Sequence, residues 1–364
     1  MEACRLSNEA KSPVFIVGAP RSGTTMLAAM LSSHSAFSAG PETQFFSKLP
    51  DEALIAAVED PNWPEQAVHW LSTLTLAEQP VISLFEQDIG AIREFLSARE
   101  PSVAAMLESL TEPFAQKRGK RRWVEKTPNH ILNLPAIRRH WPNARIIRIL
   151  RDPRDVGLST CKLPTFSDRP LVNVYLWREW NWAAEAFLQN DSLTMTVRYE
   201  DIVDQPEQSL QAICGLLGEE YEPDMLQFGR SAADVSTPNE GWKAQVSDRL
   251  SGSRKYAWKN NLAEELRPVC DLVCHELLRR YDYECGPAPA ATKTAYRMSR
   301  RYIERNEAVL VACAAEGQRW LPAQNPQDAD RIVDHPQYHR FRNPLMLAKL
   351  AAGRLRSWGQ RLLL

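Results

Sequence analysis

The sequence predicts an α/β fold: a P-loop-like, mostly parallel sheet with helices on both faces, followed by a helical C-terminal extension. Two observations carry this. An apolar run rich in β-branched residues, Val14-Phe15-Ile16-Val17, leads through a loop punctuated by Gly, Pro and Ser (Gly18 to Thr25) into a helical segment, Met26 to Leu31. Short apolar runs recur at Arg122 to Glu125, Ala144 to Leu150 and Leu193 to Tyr199. Helical patterns lie between them, among them Gln208 to Leu217, which Gly218 closes. Strands that alternate with helices argue for a parallel sheet covered on both sides.

The stretch from Thr43 to Gln116 reads as helices separated by Pro and Asp breaks. Its aromatic residues Phe45, Phe46, Trp63, Trp70 and Phe85 are expected mostly in the core, with some lining an acceptor pocket. A chain of 364 residues with 44% hydrophobic content can bury a sizeable core, and its formal charge of −1 provides no global field for nucleic acid. Any anion site is therefore local.

Seven scattered cysteines form no disulfide framework, and Cys270 and Cys274, four apart on one helical face, have no second pair to make a zinc site. The expectation is free thiols in the cytoplasm. The start of the chain lacks the pattern of a signal peptide, and no apolar run is long enough to span a bilayer.

Gly18-Ala-Pro-Arg21-Ser22-Gly23-Thr24-Thr25 keeps the G-x-x-x-x-G spacing of a phosphate loop. Such a loop works because backbone N–H groups and a helix N-terminus converge on an anion. Thr24 stands where the Walker lysine would be, and Arg21 brings the charge from inside the loop. The run Ile146 to Leu150 ends in Arg151, where a magnesium-dependent enzyme would need a carboxylate. Asp152 and Asp155 read as groups that orient the arginines. Ser159, eight residues after Arg151, is placed to share a phosphate with it. Two anion sites without a magnesium ligand suit a nucleotide with a 5′ anhydride and a separate ribose phosphate better than they suit ATP.

These residues resemble the PAPS-dependent sulfotransferase superfamily, where PAPS is 3′-phosphoadenosine-5′-phosphosulfate. Pro20 to Thr25 is similar to its 5′-phosphosulfate loop, with Arg21 where cytosolic members often carry Lys. Arg151-Asp-Pro-Arg-Asp-Val-Gly-Leu-Ser159 is similar to its 3′-phosphate motif. Arg198-Tyr199-Glu200-Asp201 resembles the element whose tyrosine contacts adenine, and Trp258-Lys259-Asn260 resembles the C-terminal cofactor segment. The likeness covers roughly Pro13 to Tyr283. Pro128 replaces the histidine that cytosolic members carry after a Lys-Thr pair. Gly40-Pro41-Glu42-Thr43 instead looks like the glutamate motif of tyrosylprotein sulfotransferases and many bacterial members.

The resemblance implies a sulfuryl transfer from PAPS to a hydroxyl or amine, without a metal. Glu42 is then the general base, with His130 as the second candidate, and Arg21 and Lys126 stabilise the leaving phosphate. Arg21, Ser22, Gly23, Thr24, Thr25, Arg151, Ser159 and Tyr199 hold the cofactor. Arg254 and Lys255 are the nearest basic residues to stand in for the family's C-terminal phosphate ligands. The rival readings are a P-loop-type nucleotide or small-molecule kinase and a non-catalytic nucleotide-binding protein. The acceptor stays open among lipid, glycan, peptide and secondary metabolite.

Residues 1–285 read as the catalytic domain and 286–364 as a helical, basic extension. Its last part, 341–364, interleaves Lys349, Arg354, Arg356 and Arg361 with Leu, Met and Trp358. This pattern suits a helix docked on the catalytic domain or lying peripherally on an anionic membrane. His335 and His339 read as surface residues.

Overall fold

The computed structural model describes residues 12–163, 165–235 and 252–286. Five parallel strands form the central sheet: β1 (Val14–Val17), β2 (Phe37–Ala39), β3 (Arg122–Glu125), β4 (Arg145–Leu150) and β5 (Thr194–Arg198). Their spatial order is β2-β3-β1-β4-β5, with every neighbouring pair parallel. A parallel pair needs a crossover connection, and helices supply it.

Strand alternation divides the core in two. Val14 and Ile16 of β1, with Ile147 and Ile149 of β4, face one cluster. This is covered by α1 (Thr24–Ser33) and α5 (Pro206–Leu217). Phe15 and Val17, with Ile146 and Leu150, face the other. That side is covered by α2 (Val103–Lys117), α4 (Pro170–Asn190) and α6 (Arg267–Arg280), with the short α3 (Pro153–Thr160) packed against α4. Both faces of β1 are fully buried, which is why its sequence is a continuous apolar run rather than an alternating one.

Helices do occupy the stretch after Thr43, but it also holds a small antiparallel pair, Thr75–Leu76 with Gln79–Pro80, that the sequence did not suggest. Phe45, Phe46 and Phe85 are buried, and Trp63 and Trp70 pack partly buried against the same core. Helix α1 runs two residues beyond its expected span at each end, and Gly218 takes φ 70 to stop α5 as its position implied. Cys270 and Cys274 are buried thiols on α6. No described helix is long and apolar enough to cross a membrane. The extension after Gly286, with His335, His339 and the 341–364 segment, lies outside the described residues, as do Cys4 and Cys313.

Candidate functional site

Each strand of the sheet delivers a candidate residue just beyond its C-terminal end. In spatial order these are Glu42 after β2, Lys126 after β3, the Gly18–Gly23 loop after β1, Arg151 after β4 and Tyr199 after β5. In open α/β sheets this edge forms the crevice that takes a ligand.

The loop after β1 has a demanding backbone. Gly23 takes φ 103, and a Cβ there would stand 2.7 Å from Cδ2 of Tyr199. Glycine thus serves two needs: a left-handed turn into α1, and close approach of the tyrosine ring. Arg21 also has a positive φ, 71. Ser22 is fully buried, and its Oγ has no hydrogen-bond partner among the described residues. The first turn of the ten-residue α1 carries no acidic residue, so nothing on it competes with an anion for the helix N-terminus.

Three guanidinium groups crowd this loop. Arg151 is 7% exposed and donates from Nη1 to the Arg21 carbonyl (3.0 Å) and from Nη2 to the Arg254 carbonyl (2.6 Å). Its guanidinium carbon stands 4.7 Å from the Tyr199 ring centre, and its Nε has no hydrogen-bond partner among the described residues. Arg21 donates from Nε to Ser159 Oγ at 3.1 Å. Ser159 thus meets Arg21, a contact that the sequence did not suggest. Burial first, then the like charges of Arg151 and Arg254, push the Arg21 pKa below the ordinary guanidinium value. Burial raises the Tyr199 phenol, with Arg151 and Arg254 pulling the other way. Positive charges gathered in a part-buried place are costly unless an anion joins them. Lys255 pairs with Asp204, away from this cluster's hydrogen bonds.

The carboxylates after β4 are occupied. Asp152 accepts from Arg154 through both oxygens and from Trp258 Nε1 at 3.0 Å. Asp155 accepts from the Trp258 backbone N–H at 2.8 Å and lies 3.6 Å from Arg151. Burial raises the Asp155 carboxyl, with Arg151 opposing. Trp258 therefore ties the chain after residue 252 to the Arg151–Asp155 turn, with Arg154 stacked 3.7 Å from its ring centre.

At the other end of the row, Lys126 is fully buried and donates to Glu42 Oε1 at 3.1 Å. It also lies 3.5 Å from Thr25 Oγ1, at the start of α1, and 3.5 Å from the Val235 carbonyl. The second oxygen of Glu42 accepts from Gln44 Nε2 at 2.7 Å. His130 is fully buried. Its Nδ1 bonds Glu125 Oε2 at 2.8 Å, and its Nε2 accepts the Phe46 N–H at 3.2 Å, so both ring nitrogens are engaged. Glu125 has no role in the sequence reading. Burial alone would raise its carboxyl, but His130 and the donors of Thr127 and Thr43 outweigh this and hold it below the ordinary range. The signal available was its place directly before Lys126 in Glu125-Lys126-Thr127.

Beside the loop lies a small, mostly apolar recess lined by Ala19 and Pro20, Val156 and Thr160 of α3, Phe166, and Asn173, Leu176, Trp177 and Trp180 of α4.

A model of the Sulfotransferase family matches residues 13–223 of this chain. A Caenorhabditis briggsae protein named "Putative protein-tyrosine sulfotransferase" is 24% identical over 278 residues, covering 74% of this chain and 89% of its own. Nodulation protein NoeE of Sinorhizobium fredii is 26% identical over 296 residues, covering 74% of this chain and 65% of its own. Omega-hydroxy-beta-dihydromenaquinone-9 sulfotransferase Stf3 of Mycobacterium tuberculosis is 27% identical over 193 residues, covering 47% of this chain and 44% of its own. In fold, the chain is similar to the sulfotransferase domain of the Synechococcus PCC 7002 olefin synthase. The TM-score is 0.54 at 21% identity, covering 76% of this chain and 97% of that domain.

Proposed function

Because this chain belongs to the Sulfotransferase family, we propose that it moves a sulfuryl group from PAPS to a hydroxyl, with Glu42 as general base. The observation that carries the reading is the row of strand ends. It sets Arg21, Ser22, Arg151 and Tyr199, which Arg254 joins from a separate turn, beside the Glu42–Lys126 pair.

The residues present fit this donor. Arg151 Nε and Ser22 Oγ are buried donors without a hydrogen-bond partner among the described residues, and both suit phosphate or sulfate oxygens. In the proposal Arg21, Ser22, Gly23, Thr24 and Thr25 hold the 5′ end, Arg151, Ser159 and Arg254 hold the 3′-phosphate, and Tyr199 flanks the adenine. Lys255, paired with Asp204, drops out of that set. When bound, PAPS supplies the activated sulfuryl group. Arg21 and Lys126 would stabilise the nucleotide oxygen on which charge develops as its S–O bond breaks. Glu42 takes the acceptor's proton as the new S–O bond forms. His130, with both nitrogens engaged, is the weaker candidate for that task.

For the acceptor, the proposal is a hydroxyl carried on an apolar scaffold. Stf3, named for a menaquinone lipid, offers a parallel among the relatives. The buried or half-buried thiols of Cys161, Cys214, Cys270, Cys274 and Cys285, in no disulfide among the described residues, suit a reducing, cytoplasmic setting.

A thermal-shift comparison tests the donor: adenosine 3′,5′-bisphosphate (PAP) should stabilise the chain more than ADP or ATP with magnesium. Preference for ATP would overturn the reading in favour of a kinase. Radiolabelled PAPS offered with a long-chain alcohol, a tyrosine peptide and an oligosaccharide tests the acceptor. Label on the alcohol is expected, and label on the oligosaccharide alone would refute the apolar assignment.

A further inference from the structure

We propose that Glu125 is a positioning residue that locks the Glu42 loop to the Lys126 turn. The inference rests on the roles given above to Glu42 and Lys126, and extends them to a group that touches neither. Glu125 is the last residue of β3 and is 1% exposed. Its Oε1 accepts from Thr43 Oγ1 at 2.8 Å and from Thr127 Oγ1 at 2.6 Å. Its Oε2 accepts from the Thr127 N–H at 3.1 Å and bonds His130 Nδ1 at 2.8 Å. Thr43 directly follows Glu42, and Thr127 directly follows Lys126.

The cross-links continue beyond the carboxylate. The Gln44 N–H donates to Thr127 Oγ1 at 3.3 Å, and the Phe46 N–H to His130 Nε2 at 3.2 Å. The Phe45 N–H donates to Thr43 Oγ1 at 3.3 Å. One buried carboxylate thus joins the chain neighbours of the base and of the cation, across the boundary between β2 and β3. A fully satisfied buried network of this kind is rigid, and it fails as a unit when its central acceptor is lost. Catalytic groups must be held to a fraction of an ångström, and a misplacement of about 1 Å costs on the order of 10²-fold in rate.

The test uses the full chain, PAP, radiolabelled PAPS and the best acceptor from the panel above. Glu125→Gln should lower kcat by on the order of 10²-fold while the KM for PAPS and the Kd for PAP stay near wild type. Thr43→Val should lower kcat in the same way, and Thr43→Ser, which keeps the hydroxyl, should restore it. Glu42→Gln combined with Glu125→Gln should lose less than the product of the two single losses, because part of the Glu125 effect acts through Glu42. Hydrogen exchange at the Gln44 and Phe46 amides should rise in Glu125→Gln and Thr43→Val, whether or not an acceptor is present.

Wild-type kcat in Glu125→Gln, fully multiplicative losses in the double variant, or PAP binding lost in step with kcat would each overturn the positioning role. If Glu125→Gln does not fold, the Thr43→Val and Thr43→Ser pair decides, since equal turnover in both defeats the proposal. Full activity in Glu42→Gln alone would defeat the base assignment instead, and that result is separate from the exchange readout on Glu125.

Discussion

Lys126 Nζ lies 3.1 Å from Glu42 Oε1, so two residues from the ends of different strands enter the site as an ion pair. Lys126 is also within 3.5 Å of Thr25, which ties this pair to the first turn of α1. The pair sets the first prediction. Glu42→Gln should reduce turnover by about 10²–10⁴-fold, the usual range for a lost general base. PAP affinity, measured by calorimetry, should stay near wild type. An active Glu42→Gln enzyme would remove this residue from the chemistry.

Arg151→Ala should discriminate between nucleotides. Losing charged hydrogen bonds to a phosphate should weaken PAP by about 10–100-fold. Adenosine 5′-phosphate, which lacks the 3′ group, should weaken far less. Titration of both ligands against both proteins checks this, and equal losses would reject the 3′-phosphate assignment.

Gly23→Ala should cost stability and nucleotide affinity together. The position has φ 103, and the new methyl would press on Tyr199 at 2.7 Å. The backbone strain alone is worth about 1–3 kcal/mol. Chemical denaturation, with and without PAP, reads both effects. A variant as stable as wild type, binding PAP normally, would show that the loop tolerates a side chain.

Glu185→Gln should destabilise the fold without touching the site. Arg148, fully buried on β4, donates from Nη1 to Glu185 Oε1 at 2.5 Å, and Arg280 donates to the other oxygen at 2.7 Å. Removing one partner of such a buried pair costs about 3–5 kcal/mol. Burial opposes the charge on Glu185, but Arg148 and the hydrogen bonds from Arg280, Arg148 and Tyr281 hold its carboxyl below the ordinary 4.5. A depressed carboxyl contributes stability above its unfolded value and loses it as pH falls through the folded one. Urea melts should therefore show a gap between wild type and Glu185→Gln that is full near neutral pH and narrows below about pH 4.5. A gap independent of pH would contradict the assignment.

The parts of the fold that were legible in the sequence are those whose burial is uniform. Val14 to Val17 is hidden on both faces and reads as a strand without help from context. The Gly18–Gly23 loop is legible for a similar reason, since its glycines meet local backbone demands. By contrast β2 is three residues long, Phe-Ser-Ala, and carries no β-branched residue to mark it. Helix α4 is less periodic in sequence than an exposed helix, because buried Leu171, Val172, Trp177 and Trp180 share its length with buried Arg178, Glu179 and Glu185.

Within the site, the residues on strand ends were readable and their pairings were not. Ser159 bonds Arg21, and Lys255 pairs with Asp204, because both depend on how distant segments meet. Trp258 reads as part of a cofactor segment, and the hydrogen bond from its indole to Asp152 is not legible in sequence. Glu125 is marked in sequence only by its place before Lys126, and its part becomes legible once its four donors are known.

The arrangement of the sheet edge bears on how such a protein changes over time. In the proposed function proton removal falls to the β2 and β3 side, and the nucleotide is held from the β1 loop, β4 and β5. The two duties therefore occupy opposite flanks and draw on different stretches of chain. Drift in the segment around Glu42 can explore new chemistry while the donor grip is inherited unchanged, and an engineer exchanging that segment works within the same division of labour.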